Sequence, residues 1–291
     1  MLYFIGSIVL TSYLTLSFKA VERFGIPAFQ AIVFNYITCV ITGCLVNGSV
    51  PVTAVQEPWF AWGGAAGCIF VSLFNIIAVT TQKIGVAVAS VANKLSLVIP
   101  FVFSIYLYNE GITWIKIVGI VVALAGVVFT CWPSVNHETA AHKHVKAIVY
   151  LLPAIIFIAS GFLDTLLKYV ELSFLSEANT NAFFIVAFAT AASLGSIVLA
   201  ALVISKRIAF DARSILAGIA IGIPNYFSIW FFIKLLKQYQ SNSSAVIPIN
   251  NIGIVLFSAV MAWLLFNERL KAINWIGILL AVAAIALIAF G

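Results

Sequence analysis

Long apolar segments separated by short polar ones run through the chain from end to end. The segments lack the every-second-residue alternation of barrel strands, and most approach the ~20 residues that a helix needs to cross a bilayer. The first begins at residue 2 without a basic leader or a small-residue cleavage site, so we expect a retained span. The pattern predicts ten spanning helices, at 2–18, 27–46, 59–81, 85–108, 112–132, 147–170, 180–204, 212–236, 243–266 and 270–290.

The composition indicates that these helices are surrounded by lipid and not by water. The chain is 64% hydrophobic and 8% charged, whereas a soluble domain has about 25% charged residues. In lipid, every backbone polar group needs an internal partner, which helices provide. The sequence therefore predicts an all-α membrane protein whose main partner is the lipid bilayer. The net charge of +6 is scattered through short loops, so we expect no nucleic-acid partner.

Two long stretches of the chain resemble each other. Residues 85–132 and 243–290 align without a gap and share about a dozen identities, the signature of an internal repeat. Asn93 falls on Asn251, and Glu110 falls on Glu268. Each stretch holds an apolar run, a polar Asn-Glu hinge and a second apolar run. A repeated membrane hairpin is typical of transporters, whose substrate site lies between the repeats.

The longest polar gap, residues 133–146, divides the ten spans into five and five. We interpret 1–132 and 147–291 as two five-helix repeats joined by this linker. Because five is an odd number, the second copy enters from the opposite side, and the repeats are inverted. The Gly63-x-x-x-Gly67 and Gly218-x-x-x-Gly222 pairs match in spans three and eight and predict close helix packing.

The loops carry an orientation signal. Basic residues are concentrated in the odd-numbered loops, which the positive-inside rule places in the cytoplasm. The sequence thus predicts a multi-pass protein of the cell (inner) membrane with both termini outside.

Lys94 is the sharpest candidate for function. It lies about ten residues into span four, where a charged ammonium costs at least about 2.5–3.5 kcal/mol, so it needs a partner or a wet cavity. One interpretation is an anchor for an anionic substrate, and another is a structural pair with Asp164 in span six. A third joins the two, with a Lys94–Asp164 relay that substrate breaks. Snorkelling to an interface is the remaining alternative.

Amides and hydroxyls accompany Lys94. Ser90 and Asn93 share its side of span four by helical spacing, and the matched span nine supplies Asn250 and Asn251. Such groups either bind a polar solute or hold helices together, and the sequence leaves both open. Three further substrate-binding candidates have packing as their alternative, namely Asn75, Asn225 and Trp230.

Other features receive structural interpretations. Glu110 and Glu268 precede helices and are expected to cap the helix that follows each of them. Four prolines interrupt spans, namely Pro100, Pro153, Pro224 and Pro248, and helix breaks often accompany transport sites. The cysteines lie in apolar runs, and the histidines at 137, 142 and 144 lie in the linker, so no metal or cofactor is expected. The chain contains no G-x-S-x-G, H-E-x-x-H or nucleotide-binding loop.

This combination resembles the drug/metabolite transporter superfamily, and the EamA-type permeases most of all. The matching segments are 85–126 and 243–284, each an apolar span that ends in Asn-Glu before a span with an early glycine. The resemblance implies alternating access through a central cavity lined by spans one, three, four, six, eight and nine. It also implies that spans five and ten are peripheral and support a homodimer.

We therefore expect a secondary transporter, and not an enzyme, that moves a small polar metabolite such as an amino acid or another carboxylate. The ninth span offers amides where phosphate-exchanging relatives carry further basic residues, so a single carboxylate fits better than a phosphate ester. The alternatives are a lipid-head-group carrier and a membrane-embedded enzyme that uses Lys94 and Asp164.

Overall fold

The computed structural model describes residues 2–108, 113–130, 148–176, 178–239, 243–268 and 270–290. These residues form α-helices and one short 3-10 helix at Val52–Gln56, and no strand occurs among them. The α-helices are α1 (Leu2–Arg23), α2 (Ala28–Asn47), α3 (Phe60–Lys83), α4 (Val86–Leu95), α5 (Val98–Tyr108), α6 (Trp114–Thr130), α7 (Ile148–Phe174), α8 (Thr180–Ile204), α9 (Arg213–Gln238), α10 (Ser243–Phe266) and α11 (Ala272–Phe290).

Eight helical segments in the described parts of the chain are long and apolar enough to cross a membrane. They coincide with predicted spans one to four and six to nine. At spans five and ten lie two shorter apolar helical segments, Ile117–Thr130 and Ala272–Ile288. The prediction of an all-helical, membrane-compatible chain is confirmed. The predicted linker at 133–146, with its three histidines, and the turn with Glu110 lie outside the described residues.

The apolar run predicted one continuous helix for span four, and this prediction is wrong. Helix α4 ends at Leu95 and α5 begins at Val98. Pro100 accounts for the break, because its ring clashes with the carbonyl four residues earlier, which belongs to Ser96. The chain tightens there, and the Ile99 N–H donates to the Ser96 carbonyl at 2.9 Å. Pro153 and Pro224 lie inside continuous helices, so proline alone does not locate the break.

Glycines bring the helices together in two matching pairs. A side chain at Gly67 of α3 would meet the backbone oxygen of Ala187 in α8. A side chain at Gly222 of α9 would come within 2.6 Å of the Asn35 carbonyl oxygen in α2. The predicted role of the glycine pairs in close packing is confirmed. Helix α3 thereby packs on α8, and α9 packs on α2.

The helix ends lie at two opposite faces of the bundle. The N-terminal face holds the helix ends at Leu2, Asn47, Thr180 and Gln238, and the opposite face holds the ends at Arg23, Lys83 and Phe266, together with the start of α4 at Val86. Glu268 lies at the opposite face and accepts hydrogen bonds from the Val86 N–H. The expectation that it caps the following helix is wrong, because the turn aims its carboxylate at the start of α4.

Candidate functional site: a charged crevice at the break in span four

The break between α4 and α5 lies against the middle of α7. The Ser96 hydroxyl lies 2.5 Å from the Asn93 carbonyl and 3.3 Å from Oδ2 of Asp164. A serine has one hydroxyl proton, so it donates to only one of these acceptors at a time. The side chain of Ile99 occupies the space that a side chain at Gly161 of α7 would need. The loss of helix at Pro100 thus places the Ser96 hydroxyl beside the Asp164 carboxylate.

Asp164 is deep in the bundle but accessible. It lies sixteen residues into α7, about 24 Å along a helix of about 40 Å. Its side chain is exposed, yet it lies about 200° around the helix from Phe162. The exposed apolar stripe of α7 includes Phe162 with Leu151, Ile155, Ile158 and Tyr169. Because Asp164 faces away from that stripe, its exposed surface opens into the bundle and not toward acyl chains.

Lys94 occupies the last turn of α4, about 12 Å from the start of that helix. Its side chain is half-buried, as is that of Asn93, while Ser90 is buried. Helical spacing places the three within about 100° of one another on α4, as predicted. The Lys94 charge interacts electrostatically with Asp164. Within the described ranges, however, no nitrogen–oxygen distance within 4 Å joins the two, and the ion pairs found are elsewhere.

Among the described residues Lys94 and Asp164 thus form no direct ion pair, although their charges interact, and the choice between a structural pair and a substrate site stays a prediction. The two charges lie near the same depth and interact across a gap. Opposite charges held apart inside a protein remain available to a solute that carries the complementary charges.

The amides of span nine lie nearer the N-terminal face than Lys94 does. Asn250 precedes the end of α10 by sixteen residues, about 24 Å, whereas Lys94 follows the neighbouring start of α4 by about 12 Å. Asn250 and Asn251 are 2% and 8% exposed, and the Asn250 side-chain oxygen has no hydrogen-bond partner among the described residues. The buried Ser90 hydroxyl is in the same condition. Buried polar groups are nearly always satisfied, so these two are candidates for contact with a solute. Helices α4 and α10, which carry them, pack against each other.

Two other candidates have structural partners. The Asn225 amide donates to the side-chain oxygen of Asn35 at 3.0 Å, in a buried contact between α9 and α2. The Asn75 amide donates to the Val71 carbonyl of its own helix at 2.7 Å. Neither is brought to the break in span four by any hydrogen bond. The prediction that they bind substrate finds no support in these contacts, since each amide already donates to an acceptor within the protein.

Trp230 lies apart from the charged crevice, in a cavity at the N-terminal face. This outer cavity has a volume of about 170 Å³ and is lined by Val46, Thr180, Asn181, Phe184, Phe188, Tyr226, Ile229, Trp230, Ile233, Lys234 and Lys237. The Lys234 ammonium lies 5.5 Å from the centre of the Trp230 ring. Lys234 was not among the candidates predicted from the sequence. Its spacing of four residues from Trp230, on one helix face, was the available signal.

The opposite face is closed by hydrogen bonds between helix ends. The Lys19 ammonium donates to Glu22 at 2.9 Å and to the Gln82 carbonyl at 3.0 Å. The Gln82 amide returns a bond to the Phe18 carbonyl at 3.1 Å, which ties α1 to α3. Arg23 reaches the Leu265 carbonyl of α10 at 3.4 Å. A cavity of about 260 Å³ is lined by Lys19, Glu22 and Arg23 of this network, together with Leu265, Phe266 and Asn267.

Comparisons with known proteins describe the fold but not the activity. No family model matches the chain. One relative, an uncharacterized protein of Haemophilus influenzae, is 26% identical over 276 residues, which cover 92% of this chain and 90% of that protein. A solved crystal structure of a protein superposes with a TM-score of 0.63 at 16% identity, over 98% of this chain and 94% of the other. At that identity, the likeness concerns the fold alone.

Proposed function

We propose that the protein is a secondary transporter that moves a small polar metabolite by alternating access through a central crevice. The observation that carries this proposal is the pair Lys94 and Asp164, two opposite charges that are deep, accessible and separate. Ionisable groups inside a membrane protein are costly and usually mark a substrate or ion path. An amino acid fits best, because its carboxylate pairs with Lys94 and its ammonium with Asp164.

The break in span four supports the same site. Transporters commonly bind substrate where a discontinuous helix frees backbone groups at half-membrane depth. Here the freed segment around Ser96 lies beside Asp164. The half-helix α5 starts at this point, and the partial positive charge of a helix start favours a carboxylate.

The finer architecture that we propose is two inverted five-helix repeats, 1–132 and 147–291. Helix packing supports it, because contacts between the halves come in matching sets. In this architecture α7, α8 and α9 are the counterparts of α1, α2 and α3. Helix α1 packs on α9, and its counterpart α7 packs on α3. Helix α2 also packs on α9, and its counterpart α8 packs on α3. Helix α6 packs on its own counterpart α11. This is the pattern that a pseudo-two-fold axis in the membrane plane produces.

The helix contacts within the first half differ from those within the second half. This difference supports a state of the transporter that is open at one face of the bundle. Helix α1 packs on α3 and α4, whereas its counterpart α7 makes at most isolated contacts with α9 and α10 among the described residues. The closed half carries the Lys19–Gln82 network at the opposite face. We infer a state that is open toward the N-terminal face. In the complementary state, α1 and α3 separate while α7 and α9 meet.

The proposed location is the cell (inner) membrane, with the N-terminal face outside by the loop-charge bias. An enzymatic role would need converging acid, base or nucleophilic groups. Lys94 and Asp164 do not approach within 4 Å of each other. We therefore propose transport without covalent chemistry.

Uptake of labelled amino acids by proteoliposomes tests the proposal. We expect Lys94→Gln to lower uptake at least about tenfold, because a hydrogen bond to a charged group is lost. Asp164→Asn should lower uptake of amino acids but retain uptake of a carboxylate that has no amine. Lys83→Gln is the matched control, since Lys83 is an exposed lysine at the end of α3.

Three results would contradict the proposal. Equal uptake by the wild-type protein and Lys94→Gln would remove the anion anchor. Uptake no greater than in empty liposomes, across a panel of amino acids and carboxylates, would contradict the proposed transport function. Movement of a labelled phospholipid between leaflets, lost in Lys94→Gln, would favour a lipid-head-group carrier instead.

A further inference from the structure

The outer cavity is divided into an apolar depth and a polar mouth. Helix α9 runs toward the N-terminal face and α8 runs away from it, so Ile229 and Phe188 lie deeper than Lys237 and Thr180. The deep walls are aromatic and aliphatic, whereas the mouth carries ammonium, hydroxyl and amide groups. At about 170 Å³, the cavity is smaller than the ~300 Å³ at which drug-sized sites begin. It therefore suits a small molecule.

The cation at the mouth is held in place. The Trp230 ring, below the Lys234 ammonium, packs edge-on against Tyr3, Phe227 and Phe231, with ring centres 5.3–6.2 Å apart. No carboxylate oxygen in the described chain lies within 4 Å of the Lys234 nitrogen. Lys234 is half-buried. A partly desolvated, positioned ammonium attracts anions more strongly than one on a mobile surface side chain.

A hydrogen-bond chain fixes other polar groups that line the outer cavity. The Tyr226 hydroxyl donates to the Asn181 side-chain oxygen at 2.7 Å, and the Asn181 amide donates to Asn47 at 3.0 Å. The chain links α9, α8 and α2 across the mouth. The Tyr226 hydroxyl oxygen, which donates its proton to Asn181, can still accept a bond from a solute.

The same location in the first half is filled. Helices α2 and α8 contact each other symmetrically, because Gly43 faces Ile185 and Gly195 faces Val33. This symmetry makes Gly43 the counterpart of Gly195, and by the same alignment Tyr36 is the counterpart of Phe188. Tyr36 packs against Phe74 with ring centres 5.4 Å apart, and its hydroxyl bonds the Phe70 carbonyl at 2.9 Å. In the second half the corresponding Phe188 is buried against Tyr36 and Phe70, with ring centres 6.1 and 5.8 Å away, and the outer cavity lies beside it.

We propose that the outer cavity is a binding site for a small amphipathic carboxylate. Its head group pairs with Lys234, and its apolar chain points inward against Phe184 and Phe188. The site rests on the proposed transport function, in which it binds the substrate on the way in from the N-terminal face, and it favours substrates with an apolar side chain. The same chemistry, an anionic head on an apolar chain, also occurs in anionic lipids.

Bromine quenching of Trp230 fluorescence tests the site directly. The probe is 6-bromohexanoate, added to purified protein in nanodiscs of zwitterionic lipid. We expect saturable quenching whose saturable part disappears in Trp230→Phe. Its affinity should fall about tenfold in Lys234→Gln, which loses a charge-assisted bond, and should persist in Lys234→Arg. Lys83→Gln should match the wild-type protein, and 6-bromohexan-1-ol should give no saturable part.

The proposal is overturned if the bromo-alcohol quenches with the same saturation, or if Lys234→Gln binds 6-bromohexanoate as the wild-type protein does. A second series in nanodiscs that contain an anionic phospholipid separates the two sources. Loss of 6-bromohexanoate binding there identifies lipid as the occupant, and unchanged binding identifies a soluble carboxylate.

Binding at Trp230 is measured without transport, so the two proposals fail separately. Saturable, Lys234-dependent quenching in a protein that transports none of the tested metabolites supports the site and removes the transport function. Lys94-dependent uptake in a protein without such quenching supports the transport function and contradicts the outer binding site.

Discussion

Glu268 caps a helix that begins 182 residues earlier in the chain. Both oxygens of its carboxylate accept from the Val86 N–H, at 2.9 and 3.1 Å. Gly85 precedes this cap with a φ of 141°, a conformation that favours glycine, and a side chain there would come within 3.0 Å of Glu268. The contact joins the end of α10 to the start of α4, and so joins the two proposed halves at the opposite face.

Removing this cap should destabilise the protein. We expect Glu268→Ala to lower the free energy of unfolding by about 1 kcal/mol, the usual cost of losing a helix cap. Glu268→Gln retains one acceptor oxygen and should lose less. Thermal unfolding in detergent, followed by tryptophan fluorescence, measures both. Equal stability of Glu268→Ala and the wild-type protein would contradict the capping role.

The cap also has a defined pH dependence. Burial raises the pKa of Glu268 above its ordinary 4.5, although the Val86 N–H and the Lys19 charge oppose the rise. A carboxyl group with a higher pKa in the fold than in the unfolded chain binds protons more readily in the fold. Its contribution to stability therefore falls as pH rises across those two values. As pH rises from 4 to 7, we expect the wild-type protein to lose stability relative to Glu268→Gln. A stability difference between the two proteins that does not change with pH would contradict the raised pKa of Glu268.

The Asn35–Asn225 pair should stabilise the α2–α9 contact. Replacing either residue with Ala leaves a buried amide group unpaired, and we expect a cost of about 1 kcal/mol. The double mutant should cost less than the sum of the two, with a coupling of about 0.6 kcal/mol, typical of such bonds between membrane helices. Asn75→Ala, which loses only a bond within its own helix, is the control. Additive effects of the two single mutants would rule out the pair.

The glycines of α3 provide a matched test of helix packing. Gly67→Ala forces a methyl group against the backbone of α8, and we expect a cost of about 1–3 kcal/mol from overpacking. At Gly64 nothing lies within 4 Å of the added carbon. Gly64→Ala should therefore be neutral or stabilising by up to about 1 kcal/mol through helix propensity. Similar unfolding temperatures for the two variants would mean that α3 and α8 are not this close.

Asp211 should contribute to stability in an acid-sensitive way. The Arg213 side chain and backbone N–H donate to its carboxylate and lower its pKa below the ordinary 3.8. A lowered pKa gives a contribution that is present above 3.8 and lost as pH falls below it. We expect the stability difference between the wild-type protein and Asp211→Asn to shrink below that pH. Arg213→Ala should reduce the dependence, because its guanidinium causes most of the shift; a difference independent of pH would argue against the interaction.

Much of the helical layout could be predicted from the sequence, because hydropathy in a membrane protein reports a strong local constraint. Each apolar run, such as that of α8, must satisfy its own backbone hydrogen bonds. The glycine pairs could also be interpreted correctly, since a missing side chain has one common use between membrane helices. The break at Ser96 could not be located, because Pro100, Pro153 and Pro224 look alike in sequence and only one ends a helix.

The sequence by itself determined an all-helical chain suited to a bilayer, its close-packing glycines and the rare charges Lys94 and Asp164. Those features depend on each residue's own cost of transfer from water to lipid. Only the tertiary structure decided that the two charges interact without contact, that Asn225 pairs with Asn35, that Glu268 caps α4 and that Lys234 lies over Trp230. Each of these is a relationship between side chains, and side-chain partners follow from how helices rotate and pack, which hydropathy does not encode.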